Sequence, residues 1–138
     1  MAEASSDRIT LEIVTPERVV VAEEVDEVVL PGIEGEFGVL HGHIPFLTAL
    51  KVGVLTYKKD GEEEHLAVSW GYVEVTGEHV KVLAETAEKA TEIDLTRAQA
   101  AREGAEKILT AGKEDTEYDE AKVRLEKAVI RVQVARKK

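Results

Sequence analysis

Two sets of residues in this chain could do chemistry. The first is a histidine pair, His41 and His43, inside the run LPGIEGEFGVLHGHIPFL at 30–47. On a strand, residues two apart point to one side, so two imidazoles at this spacing can share a metal ion. The second is Asp94 and Arg97, three apart where a helix would begin. Asp94 can cap the helix, and an i, i+3 pair to Arg97 would add only about 0.2–0.5 kcal/mol. The glycines around the histidines raise a third chemistry, backbone cradling of phosphate.

The phosphate reading fails on its own requirements. GIEGEFGVLHGH has no Lys-Ser/Thr after its glycines and no strand-to-helix context. The metal reading is only half supplied. Gly35, His41 and His43 match the opening of the cupin metal motif. That motif then needs a Glu where Leu47 and Thr48 stand, and a later His followed by Asn, but the chain has no asparagine. A small cupin-like metal-binding protein using His41 and His43 is therefore the rival reading. The third possibility is a recognition loop, whose glycines allow close backbone approach.

These residues need elements to position them. The chain has 138 residues, 43% hydrophobic and 33% charged, which suits one domain or one domain with a small appendage. Without cysteine it has no disulfide framework and no thiolate metal site. MAEASSDR lacks the apolar run of a signal peptide, and no apolar run approaches the ~20 residues of a membrane span. An intracellular protein is expected.

From residue 8 to about 84 the apolar period is two. RITLEIV, ERVVVA, EVDEVVL, VGVLTYKK, EHLAVS, YVEVT and HVKVLAE read as strands. Thr15-Pro16, Pro31-Gly32, Asp60-Gly61 and Gly77-Glu78 read as turns. Asp60-Gly61 in YKKDGEEEHL predicts a tight hairpin. Trp70, Tyr72 and Phe37 are assigned to packing.

Near residue 90 the period becomes helical. Ala98, Ala101, Ala105 and Ile108 form one seam. Tyr118, Ala121, Leu125, Ala128, Val132 and Ala135 form another, with Gly112 as the break between them. The fold class is α+β: an antiparallel β-sandwich of about ten short strands over 1–88, then an antiparallel two-helix hairpin over 89–138. Alanine seams bury little area, so the hairpin is weakly held and able to change shape or partner.

Net charge is −10, which argues against a nucleic-acid binder. From Glu120 to Lys138 there are seven basic and two acidic residues, a net of +5, leaving −15 on residues 1–119. A solvated helix face accounts for this on charge alone, and an acidic partner for the tail is the alternative.

The run GEFGVLHGHIPFLTALKVGVL resembles the signature of the epsilon subunits of F-type ATP synthases. AVSWGYVEV resembles that family's second signature, VLAETAEKATEIDLTRAQAA its sheet-to-helix junction, and VTPERVV its start. The resemblance covers nearly the whole chain in order. His41 replaces the usual proline, and Trp70 stands where the family often has a small residue.

The resemblance implies a non-catalytic central-stalk subunit of a proton-translocating ATP synthase, on the cytoplasmic face of the bacterial inner membrane. It has no membrane contact except through the complex. Its partners would be the gamma subunit, the c-ring and the alpha/beta catalytic head. Glu34, Glu36 and His43 would lie near gamma or the c-ring. An extended hairpin would inhibit ATP hydrolysis, placing Lys122, Arg124, Lys127 and Arg131 near acidic segments of beta subunits. Some members bind regulatory ATP through (I/L)-D-x-x-R-A, which Ile93-Asp94-Leu95-Thr96-Arg97-Ala98 matches. The implied ATP-binding set is Glu88, Ile93, Asp94, Arg97, Ala98, Lys127 and Arg131. Binding would be weak, because Gly104 stands where strong binders carry a basic residue and Lys127 replaces an arginine. No cofactor is required.

Overall fold

A computed structural model describes residues 7–111 and 116–137. Eight strands come first: β1 (Ile9–Val14), β2 (Val19–Val25), β3 (Glu27–Gly32), β4 (Gly35–Val39), β5 (Phe46–Leu50), β6 (Gly53–Lys59), β7 (Glu62–Val75) and β8 (His79–Lys89). A 3-10 turn (Ala90–Glu92) leads into two helices, α1 (Leu95–Thr110) and α2 (Thr116–Ala135). The helices pack antiparallel beside the strands.

There are eight strands among the described residues where about ten short ones are predicted, and the fusion of EHLAVS and YVEVT into one strand accounts for part of the difference. β7 runs 14 residues through both segments. Its first half pairs with β6 and its second half with β5, while β8 runs along both. The pairings are antiparallel except β1 with β8. Asp60 and Gly61 both have positive φ, 53° and 83°, as a two-residue hairpin requires. Pro31-Gly32 is not a turn: both residues end β3, and the chain reverses after them at Ile33-Glu34.

The reason β7 can serve both layers lies at Trp70 and Gly71, with φ of 35° and 147°. Upstream, Leu66 and Val68 face the core; downstream, Val73 and Val75 do. The step changes parity, since an even run would alternate throughout. β8 changes at the same level, from Val80, Val82 and Ala84 to Ala87. Gly71 permits the crossing: an added Cβ would lie 1.8 Å from the Leu83 carbonyl oxygen.

One core fills the sandwich, with Ile9, Leu11, Ile13, Val28, Leu30, Leu55 and Leu66 wholly enclosed. A smaller one sits under the hairpin, where Ile93, Ala98, Val132, Val134 and Ala135 meet Ala67 and Ala90. Ala98, Ala105, Ala121 and Ala128 are buried as the seam predicts, but Ala101 is exposed. Gly112 lies outside the described residues. Tyr72 is not a packing residue: it is 62% exposed. Phe37 does pack on the core and meets Phe46 edge-on at 5.3 Å.

Candidate functional site

The hairpin is held to the sandwich by side chains from α2 reaching β8. Arg131 donates to both oxygens of Glu88, at 2.8 and 3.0 Å. One turn earlier, Lys127 lies 3.5 Å from Glu85 and 4.8 Å from the centre of the Trp70 ring. At the junction, Glu92 accepts from the Lys89 N–H at 2.9 Å and pairs with Arg18 of the β1–β2 turn at 2.9 Å. These bonds, the Arg18 guanidinium first, hold the Glu92 carboxyl below its ordinary range.

These contacts frame a cleft of about 370 Å³, lined by Thr15, Arg18, Ser69, Thr86, Glu88, Lys127, Ile130 and Arg131. Its floor includes hydrogen-bonded Ser69 and Thr86 hydroxyls. A second cleft of about 450 Å³ opens between the helices. Ala101, Gly104, Ala105 and Ile108 of α1 face Arg124, Lys127, Ala128 and Arg131 of α2. Its floor is apolar and its α2 rim is basic, an arrangement able to take a flat apolar group with an anionic tail.

The sequence-derived ATP set is only partly assembled. Glu88, Lys127 and Arg131 converge at the first cleft, and Lys127 and Arg131 also border the second. Asp94 caps α1, accepting from the Arg97 N–H at 3.1 Å. Ile93 and Ala98 are 1% and 0% exposed, so their side chains offer a ligand no surface. Lys122 is exposed, and Arg124 pairs with Glu120 at 3.2 Å.

His41 and His43 lie in the turn after β4, not on a strand, with Gly42 between them at φ 83°. The same-side argument for a shared metal therefore fails. His43 Nδ1 instead approaches the Ile44 carbonyl at 2.7 Å. Among the described residues no group of three His, Asp or Glu could hold a metal ion. Glu34 and Glu36 are exposed and His43 half-exposed. Glu34 lies before β4 and His43 after it, so the strand separates them.

Sequence reasoning missed a row of apolar residues on the outer face. Val19, Val14, Leu83, Tyr72 and Ala49 are successive register partners across β2, β1, β8, β7 and β5. The Ile33 N–H bonds to the Ala49 carbonyl at 2.9 Å and extends the row. Partners in register share a face. Val19, Leu83, Tyr72 and Ile33 are 60%, 49%, 62% and 62% exposed. The sequence signal was Leu83 itself, the apolar exception among outward His79, Lys81 and Glu85.

Comparison with known proteins agrees with this two-part build. Residues 8–90 match the family model of the ATP synthase delta/epsilon chain β-sandwich domain, and residues 91–136 that of its long α-helix domain. The chain is 53% identical over 133 residues to the ATP synthase epsilon chain of Geotalea uraniireducens, covering 96% of each. It is 49% identical over 124 residues to that of Nitratidesulfovibrio vulgaris, covering 90% of this chain and 92% of the relative. Its fold is similar to a chain in the Euglena gracilis mitochondrial ATP synthase structure of OSCP, F1 and c-ring. There the TM-score is 0.80 at 23% identity, covering 94% of this chain and 81% of that one. With both domain models matched and half the residues identical across nearly full-length relatives, this chain belongs to the ATP synthase delta/epsilon family, on the epsilon side.

Proposed function

We infer that this chain works as the non-catalytic stalk subunit of a rotary ATP synthase, joining the gamma subunit to the c-ring and facing the alpha/beta head. The observation that carries this reading is the apolar row Val19–Val14–Leu83–Tyr72–Ala49–Ile33, four of whose members are 49–62% exposed on one face, as at a protein-docking surface. Glu34, Glu36 and His43 would supply polar contacts to gamma or the c-ring. Among the described residues no helix is long and apolar enough to cross a membrane. In this reading the chain meets the membrane only through the complex. Its place is then the cytoplasmic face of the bacterial inner membrane.

Released from the sandwich, the basic α2 would extend and restrain ATP hydrolysis, with Lys122, Arg124, Lys127 and Arg131 set against acidic segments of beta subunits. Regulatory ATP would favour the folded form, its base near Asp94 and its phosphates near Lys127 and Arg131.

Co-expression with the gamma subunit tests the docking face. Tyr72→Ser with Leu83→Ser should leave the isolated chain folded and abolish co-purification. Retained co-purification would move the docking face elsewhere. Calorimetric ATP titration of the isolated chain tests the nucleotide site. Binding lost in Asp94→Ala, Arg97→Ala supports it, and no binding at millimolar ATP removes it.

A further inference from the structure

Trp70 is the chain's one tryptophan, and it occupies a backbone conformation that large side chains avoid, at φ 35°. Strained conformations persist where the surroundings enforce them, and they cluster at sites with a task beyond packing. The parity change of β7 needs one permissive residue at this level, and Gly71 supplies it. A glycine or a small residue would suit position 70 better than an indole. The indole keeps part of its surface open, so enclosing apolar area does not by itself account for it.

Its surroundings do. Ser69 pairs with Thr86 and Gly71 with Ala84, so Trp70 and Glu85 stand opposite each other at the level where the strands cross over. Lys127 from α2 meets both, its Nζ 3.5 Å from the Glu85 carboxylate and 4.8 Å from the centre of the indole ring. An aromatic face and a carboxylate together make a receptor for one ammonium group. Lys127 is also better placed than an exposed lysine, at 33% side-chain exposure.

We propose that Trp70, with Glu85, is a latch plate that holds α2 folded on the sandwich through Lys127 without any bound ligand. The latch acts on the free chain and does not rest on the nucleotide reading. Relief of the backbone at Trp70 and loss of the latch are two consequences of one substitution, and they separate experimentally.

The test is amide hydrogen exchange on the full chain, free of nucleotide. Three variants are compared: Trp70→Gly, Trp70→Phe and Lys127→Gln. In Trp70→Gly and Lys127→Gln, exchange along α2 should rise by about threefold or more, as loss of a partly exposed cation–π contact implies. Exchange in β1, β3 and β6 should stay at the parent rate in both. Trp70→Phe, keeping an aromatic face, should fall between parent and Trp70→Gly. Unchanged α2 exchange in Lys127→Gln overturns the latch, since that substitution leaves the strands untouched. Unchanged α2 exchange in Trp70→Gly overturns the indole's part in it. Strands and α2 accelerating together in Trp70→Gly would make Trp70 a packing residue and also overturn it.

Discussion

Arg131 grips both carboxylate oxygens of Glu88 across 43 residues of chain, at 2.8 and 3.0 Å. Their side chains are 33% and 31% exposed, so the pair is screened and belongs with surface bridges in magnitude. Glu88→Gln keeps the shape and removes the charge. It should weaken hairpin docking by about 1 kcal/mol. Urea unfolding followed by the helical circular dichroism signal would register this. The difference should shrink as salt is added. A loss of several kcal/mol that is indifferent to salt would mean the pair is not screened.

Acid should loosen the junction between sandwich and hairpin. Arg18, then the Lys89 N–H, hold Glu92 below its ordinary 4.5, and Lys59 does the same for Glu23. A depressed folded pKa stabilises the protein above the unfolded value, and that stabilisation fades as pH falls through the folded value. Stability should therefore be flat above pH 4.5 in these groups and decline below it. Arg18→Gln should lower the plateau and flatten the decline. A decline of equal steepness in that variant would show that Glu92 contributes nothing to it.

Two glycines with positive φ should respond very differently to alanine. At Gly71 the new Cβ would strike the Leu83 carbonyl oxygen at 1.8 Å, a backbone atom with nowhere to move. Gly71→Ala should cost about 3 kcal/mol or more. Gly42, at φ 83°, has nothing within 4 Å of the added atom. Gly42→Ala should cost about 1–2 kcal/mol, the left-handed penalty alone. Thermal unfolding of the two variants checks the order, and equal losses would mean the β7–β8 crossing relaxes.

Gly104 is the open position in the hairpin. It lines the interhelical cleft, and an added Cβ meets nothing within 4 Å. Gly104→Arg should stabilise α1 by roughly 1 kcal/mol through helix propensity. If ATP occupies that cleft, the new guanidinium should also tighten it by about tenfold, one charge-assisted contact. Helix stability rising while ATP affinity stays fixed would place the phosphates elsewhere.

The sequence carried the two-part build because its two periods are clean: Ile9, Leu11 and Ile13 alternate, and Ala98, Ala105, Ala121 and Ala128 recur at helical spacing. It missed the continuity of β7, because Trp70-Gly71 looks like a break and is instead a crossing that preserves register. The rival metal reading of the histidine pair fails for a local reason: a spacing of two carries a shared direction only inside a strand, and Gly42 puts His41 and His43 in a turn. Among the site residues, Asp94 was legible as a cap because its partner lies three residues away. The grip of Glu88 on Arg131 and of Glu92 on Arg18 was not. Pairs 43 and 74 residues apart leave no trace in local spacing.

β7 spans 14 residues, about 46 Å of extended chain, and both layers of the sandwich are sewn to it. Sliding one layer over the other would then require tearing a single covalent strand, not only parting side chains. In the proposed stalk role the chain would be exposed to torque, and this shared strand would give it a torsional stiffness that packing alone would not.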